Sequence, residues 1–229
     1  MNSDDIRGMF ARIASKYDKI NRIMSFGRDM IWRVEAIDHL DIKDGDRLLD
    51  VGAGTGDLAV LAAKENLGAQ VVACDLTMEM VEIARERTKE FNVDWVVVDA
   101  HALPFAESHF DGVVSGFLLR NVSDKKRVLG EQLRVLNFGG PVVVLDTSPG
   151  RNKPIRALLK VYFRTIMPVL VRLMMTDYNA YDYLHKSTAN FLPANDLKTM
   201  IEDVGFEKAG YVHRMFSTIA IHWAKKPIM

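Results

Sequence analysis

Only one cysteine, Cys74, occurs in the 229 residues, so no disulfide can form within the chain and a reducing compartment is expected. It sits in the β-branched run "VVACD", where a thiol reads as a small apolar core residue. An excess of charge is also missing: 30 basic and 30 acidic residues cancel to a formal net charge of zero, which argues against a protein drawn to nucleic acid by its overall field. Long apolar runs are absent, because Pro168 and Arg172 interrupt the best candidate before it reaches the ~18 residues of a membrane span. The opening "MNSDDIRGMF" carries early acids and no apolar stretch of secretory type. A cytoplasmic protein is expected, at most resting on the inner face of a membrane. No His-Glu-x-x-His, Cys-x-x-Cys or clustered Asp/His set occurs, so no metal is expected. With no Pro/Gly/Ser-rich linker, repeat or low-complexity segment, the chain reads as one domain with an insertion.

What is present is an alternation of short β-branched runs with helical patterns. Strands are expected at 47–51, 71–75, 95–99, 111–116 and 141–147, and amphipathic helices at 57–66, 78–90 and 123–136, the last capped by Ser123. Val-rich strands separated by helices imply a three-layer α/β fold whose mostly parallel sheet is covered on both faces. A helix near 194–204 precedes "GFEKAGYVH" and "STIAIHWAKK", two strands joined by a short turn and therefore antiparallel. At the other end, residues 3–20 place Ile6, Met9, Phe10, Ile13, Tyr17 and Ile20 on one helical face. The expected organisation is a helical cap over 1–40, a cofactor core over 41–150, a helical lid over 151–190, and a final helix with two strands over 191–229.

The glycine-rich "LLDVGAGTGD" follows the first strand. Gly52, Gly54 and Gly56 let the backbone turn sharply and approach a ligand without a Cβ in the way. Asp57, in the first turn of the next helix, would compete with a pyrophosphate for the same amides, and Asp50 adds a second negative charge before the turn. Such a pocket suits a cofactor without phosphates and with positive character, a description that S-adenosylmethionine fits. Ligands of open parallel sheets bind beyond the carboxyl ends of the strands. There, Asp75 is placed to accept from ribose hydroxyls, Asp99 to accept from the adenine amine, and the Ala100 amide to donate to the ring, while Gly116 closes the fourth strand. His101 is the histidine nearest this cleft, either a proton acceptor or a solvated loop residue.

Between Asp146 and Asp177 no acid occurs, while Arg151, Lys153, Arg156, Lys160, Arg164 and Arg172 alternate with large apolar residues. Lys153, Arg156, Lys160 and Arg164 share a helical face. A solvated lid helix would give this pattern, and so would a surface over 151–176 that meets an anionic membrane and a prenylated substrate.

Beside the glycine motif, the segments "ASKYDKINRIMSFGRDMIW", "DAHALPF", "LLRN", "RVLNFGG", "YDYLHKS" and "DVGF" resemble the ubiquinone/menaquinone biosynthesis C-methyltransferase family (UbiE/MenG) over nearly the whole chain. The resemblance implies a Rossmann-like class I methyltransferase fold, S-adenosylmethionine as cofactor, and Thr55, Asp75, Asp99 and Ala100 as cofactor contacts. It also implies C-methylation of a prenylated quinol, with a homodimer left open and no nucleic acid. A quinol anion is the better carbon nucleophile, so Arg120 is the candidate that stabilises it, with Asn121 and Tyr17 fixing the ring. This chain departs from the family's pattern at Gly116, where a serine is usual, at Leu118, where "FGLRN" is common, and at Asn137 and Phe138. Two other readings remain: a methyltransferase of the same fold acting on another acceptor, and a membrane-associated module that keeps the cofactor pocket without turnover.

Overall fold

The computed structural model describes residues 3–65, 68–150, 165, 183, 187–188 and 191–228. The expected lid helix and the surface over 151–176 lie outside these residues except for single positions. Helices α1 (Ser3–Met24) and α2 (Asp29–Asp38) precede β1 (Arg47–Val51), α3 (Asp57–Glu65), β2 (Gln70–Asp75), α4 (Met78–Thr88) and β3 (Val93–Val97). Then come β4 (Gly112–Gly116), a single 3-10 turn at Leu119–Asn121, α5 (Lys125–Val135), β5 (Pro141–Thr147), α6 (Ala194–Val204), β6 (Glu207–Arg214) and β7 (Ile219–Lys225).

The strands form one sheet in the order β3-β2-β1-β4-β5-β7-β6. All pairs from β3 to β5 are parallel, and β7 runs against both β5 and β6. Successive residues alternate between the faces. Leu49, Val113, Val142 and Val144 enter a layer with Leu129 of α5 and Leu197 of α6, whereas Leu48, Val114, Val143 and Leu145 meet Ala36 of α2 and Leu58 of α3. Burial on both sides is why the strands read as unbroken Val runs rather than alternating ones, and each such side chain contributes roughly 1.5–3 kcal/mol. The chain moves outward from β1 through β2 to β3, then returns to lay β4 on the other side of β1. That reversal opens a crevice at the carboxyl ends of β1 and β4.

Of the expected boundaries that move, three matter here. β3 ends at Val97, so Asp99 lies two residues beyond the strand rather than closing it. Helix α5 is capped by Asp124, whose carboxylate accepts from the Arg127 amide at 3.0 Å, and not by Ser123. Helix α1 continues to Met24, one turn past the expected end.

Candidate active site

The turn after β1 has all three glycines in the left-handed region, with φ of +70°, +58° and +90° at Gly52, Gly54 and Gly56. Their open sides meet different things. A Cβ on Gly52 would lie 2.6 Å from Leu118 Cδ1 and one on Gly56 3.0 Å from Trp95 Cζ2, whereas at Gly54 the nearest atom is Tyr17 Cε1 at 3.9 Å. Gly54 is therefore where a ligand can reach the backbone, and Gly56 serves helix-to-strand packing instead. Four amides of the turn are already engaged. Gly52 and Ala53 donate to the Cys74 carbonyl at 2.8 and 2.9 Å, Gly56 donates to Ala53 O at 3.0 Å, and Gly54 donates to Asp75 Oδ2 at 2.9 Å. A phosphate-binding turn leaves such donors free.

An open cleft lies above this turn. Gly52, Gly54, Asp75, Asp99, Ala100 and Gly116 line its floor, Phe10 and Tyr17 of α1 form a wall, and Leu118 and Asn121 lie beyond β4. Asp75 also accepts from the Thr77 amide at 2.8 Å. Burial pushes its carboxyl above the usual carboxylate range against the pull of the Thr77 and Gly54 bonds. For Asp99, desolvation is outweighed by hydrogen bonds from the His101 amide (2.9 Å) and ring (Nδ1, 2.6 Å), which hold its carboxyl low. The Asp124 amide reaches His101 Nε2 at 3.4 Å, which puts the ring proton on Nδ1. His101 thus braces Asp99 against the start of α5 rather than standing free as a base.

Four expected contacts do not line the cleft. Asp50 is fully buried behind the turn, and burial raises its carboxyl to about 7 despite the nearby Arg33 and the Ala59 amide. Thr55 turns away, donating to Asp18 Oδ1 of α1 at 2.5 Å. Gly56 faces Trp95, as described. Arg120 lies inward, its side chain only 7% exposed, with Nη1 3.9 Å from Asp146 Oδ1 and its guanidinium 4.9 Å from the Phe117 ring centroid. Gly116, by contrast, does line the cleft, and a Cβ there would meet Leu58 Cδ1 at 2.7 Å and Arg33 Nη1 at 3.2 Å. The absence of a side chain at that position follows from this packing.

The argument from Asp57 also changes. Its carboxylate is 5% exposed and lies among three guanidiniums, with contacts to Arg22 at 3.1 Å, Arg33 at 3.3 Å and Arg87 at 2.8 Å. Desolvation would raise its pKa, but these arginines outweigh it and the net shift is downward. Asp57 therefore presents no free anion to the cleft; the bonds already made by the Gly52, Ala53, Gly54 and Gly56 amides are what disfavour phosphate. Arg87 reaches Asp18 at 2.9 Å and Thr55 O at 2.7 Å as well, and Arg22 also pairs with Asp29. The network fastens α1 over the glycine turn.

On the far side of the cleft, Phe117 follows β4 with φ of +59°, a strained conformation for a bulky residue. Its ring packs near both Arg33 (5.3 Å) and Arg120 (4.9 Å), within cation–π range. Asn121 donates from Nδ2 to Phe117 O at 2.9 Å and accepts from the Tyr183 hydroxyl at 3.3 Å. Tyr183, Phe117, Arg33, Asp18 and Arg87 were not singled out from the sequence. Pairs such as Asp18 and Arg87 are 69 residues apart and leave no spacing signature; Tyr183 was visible only inside "YDYLHKS".

The strand order and the closed glycine turn define the fold of S-adenosylmethionine-dependent methyltransferases. A structure of one from Thermotoga maritima, described as a possible histamine N-methyltransferase, superposes with a TM-score of 0.67 at 19% identity, over 96% of this chain and 99% of that one. Haemonchus contortus phosphoethanolamine N-methyltransferase 2, bound to S-adenosyl-L-methionine, gives 0.66 at 19% identity, over 86% of this chain and 52% of the other. Residues 1–226 match the ubiE/COQ5 methyltransferase family, and the chain belongs to it. It is 39% identical to a ubiquinone/menaquinone biosynthesis C-methyltransferase UbiE of Desulfotalea psychrophila, over 96% of this chain and 90% of that protein. It is 38% identical to a demethylmenaquinone methyltransferase of Thermus thermophilus, over 96% of this chain and all of the relative.

Proposed function

We propose that this protein methylates a ring carbon of a prenylated quinol of the demethylmenaquinol type, with S-adenosylmethionine as methyl donor. The observation that carries the cofactor reading is the glycine turn, open to a ligand at Gly54 while its amides are closed, beside the cleft carboxylates Asp75 and Asp99. Such a floor, with its two carboxylates, accepts from hydroxyls, attracts cations and disfavours a phosphate. Asp75 would accept from the ribose, and Asp99 with the Ala100 amide would hold the adenine. The cofactor supplies an electrophilic methyl next to a positive sulfur.

On the acceptor side, Tyr17 and Asn121 line the cleft and are assigned hydrogen bonds to the quinol ring. Loss of the hydroxyl proton to a solvent water spreads negative charge onto the neighbouring ring carbon, which attacks the methyl and then gives up its own proton to water so that the ring regains its aromaticity. Arg120, a permanent cation one residue before Asn121, stabilises that charge from behind the wall rather than by contact. Leu118, packed on Gly52, bounds the space between cofactor and ring. A prenylated substrate brings the enzyme to a membrane surface, and among the described residues no helix is long and apolar enough to cross one.

Incubation with methyl-labelled cofactor and reduced, prenylated demethylated quinol tests the proposal. Mass spectrometry should place the label on a ring carbon. Label on oxygen, or none on any quinol offered, would refute it.

A further inference from the structure

Leu118 lines the cleft beside the glycine turn, and its isobutyl group fills the space that Gly52 leaves by having no Cβ. A Cβ on Gly52 would lie 2.6 Å from Leu118 Cδ1 and 3.1 Å from both Cδ2 and Cγ. From behind, Leu118 packs against the core layer that holds Leu119 and Leu129. Its backbone is pinned on both sides. The Phe117 amide donates to Leu145 O at 2.6 Å, and Leu118 O accepts from the Asn121 amide at 2.8 Å. Phe117 keeps its strained φ of +59° with its carbonyl held by Asn121 Nδ2 at 2.9 Å. Leu118 can therefore neither turn into the glycine loop nor shift with its chain.

The other side of the cleft is equally fixed. Tyr17 Cε1 lies 3.9 Å from where a Cβ on Gly54 would be, and its ring packs edge-on against Phe10, with centroids 5.7 Å apart at 77°. The next residue, Asp18, pairs with Arg87 at 2.9 Å and accepts from the Thr55 hydroxyl, which ties α1 down at this point. The space over the turn thus has an aliphatic side and an aromatic side, both backed by contacts of their own. A methyl acceptor has to come in line with the sulfonium–methyl bond above Gly54, and so enters between them.

A flat ring needs only van der Waals contact on each face, about 3.5–4.0 Å between carbons. A group standing out of the ring plane needs more, and a packed wall yields little. Two kinds of quinol carry substituents at the same pair of ring positions and differ in this respect. A fused benzo ring lies in the plane, whereas two neighbouring methoxy groups crowd each other and the flanking hydroxyls and turn their methyls out of it.

We propose that Leu118 is a specificity-determining residue: a fixed gauge of ring thickness that passes a fused, naphthalene-type quinol and turns away a benzene-type quinol with vicinal methoxy groups. The proposal rests on the prenylated-quinol reading and adds which ring the site takes and which side chain decides.

Steady-state methylation of two reduced quinols with the same short prenyl group, one a naphthoquinol and one a vicinal dimethoxybenzoquinol, tests it. Wild type should favour the naphthoquinol in kcat/KM by about tenfold or more, the scale on which one misfitting group in an apolar pocket discriminates. Leu118→Ala should cut that preference at least about fivefold by raising kcat/KM on the dimethoxy ring, a gain that damage to the fold would not produce. Leu118→Met keeps the volume but loses the stiff branch, and should lower the preference in the same direction. Because the ratio is taken within one protein, losses of folded enzyme cancel, and the methionine variant stays decisive if the alanine variant does not fold. Wild type that methylates the dimethoxy ring as well as the fused one, or a folded variant that keeps the wild-type ratio, would overturn the role of Leu118 and leave the quinol reading standing. Turnover of neither ring by wild type would overturn both.

Discussion

Asp50→Asn should stabilise the protein by roughly 3 kcal/mol more at pH 8 than at pH 5. Asp50 is fully buried, and burial pushes its carboxyl up from 3.8 to about 7, because desolvation outweighs the attraction of Arg33 and of the Ala59 amide. A folded-state pKa above the unfolded one means that the native state binds the proton more tightly. The resulting stability is fully present below pH ~4 and is lost as pH rises through about 7. A shift of roughly three units corresponds to about 4 kcal/mol in total, of which roughly 3 kcal/mol disappears between pH 5 and 8. Asparagine matches the protonated acid in shape and cannot ionise. Urea melts of both proteins at the two pH values, compared as a double difference, cancel the other titrating groups. Wild type should lose roughly 3 kcal/mol more than the variant over that interval, or about 6–12 °C in Tm for a chain of this size. An equal loss in both proteins would refute the buried-acid argument.

Asp75→Ala should weaken binding of S-adenosylmethionine by about 1.5–3 kcal/mol, the scale of hydrogen bonds to a charged group; calorimetry that finds unchanged affinity rejects the ribose assignment. Arg87→Met cuts the ties to Asp18, Thr55 O and Asp57, and because the guanidinium is about one-third exposed the global loss should be only about 1 kcal/mol. Hydrogen exchange should nevertheless speed up across α1 while the sheet stays protected, and unchanged exchange there would count against the latch. Arg120→Met should lower kcat ~100-fold with cofactor affinity nearly constant. Near-normal turnover by a variant shown to be folded would return Arg120 to a purely structural role opposite Asp146.

The parallel sheet was legible because strands buried on both faces can only be written as runs such as "VVACD" and "PVVVLDT", and the helices between them keep a 3.6-residue period. The cleft was legible for the same reason: Asp75 and Gly116 end strands, and chain topology alone carries them to one crevice. Charges across tertiary contacts were not. Asp57 read as a free anion because nothing local announces that Arg22, Arg33 and Arg87 converge on it from α1, α2 and α4. Arg120 read as a cleft residue, yet Asp146, one strand away, draws it inward. Thr55 read as a cofactor contact by resemblance, while its hydroxyl fastens α1.

The same buried acid is expected to let the site prefer the methyl donor over the demethylated product. The two molecules share their adenosine, amine and carboxylate and differ by one positive charge at sulfur. Asp50 lies two residues before Gly52 and couples electrostatically to Asp75 in the cleft. A sulfonium held over this turn favours the ionised form of both carboxylates, so cation binding pulls their pKa values down and releases protons below pH ~7. The thioether product has no such effect. The ratio of donor to product affinity should therefore climb as pH rises from 5.5 to 7, then level off, and Asp50→Asn should flatten the climb. Calorimetry in buffers of differing ionisation enthalpy counts the released protons directly and needs no turnover. Equal proton release for donor and product in wild type, with a pH-independent affinity ratio, would show that Asp50 stays protonated throughout and takes no part in discrimination.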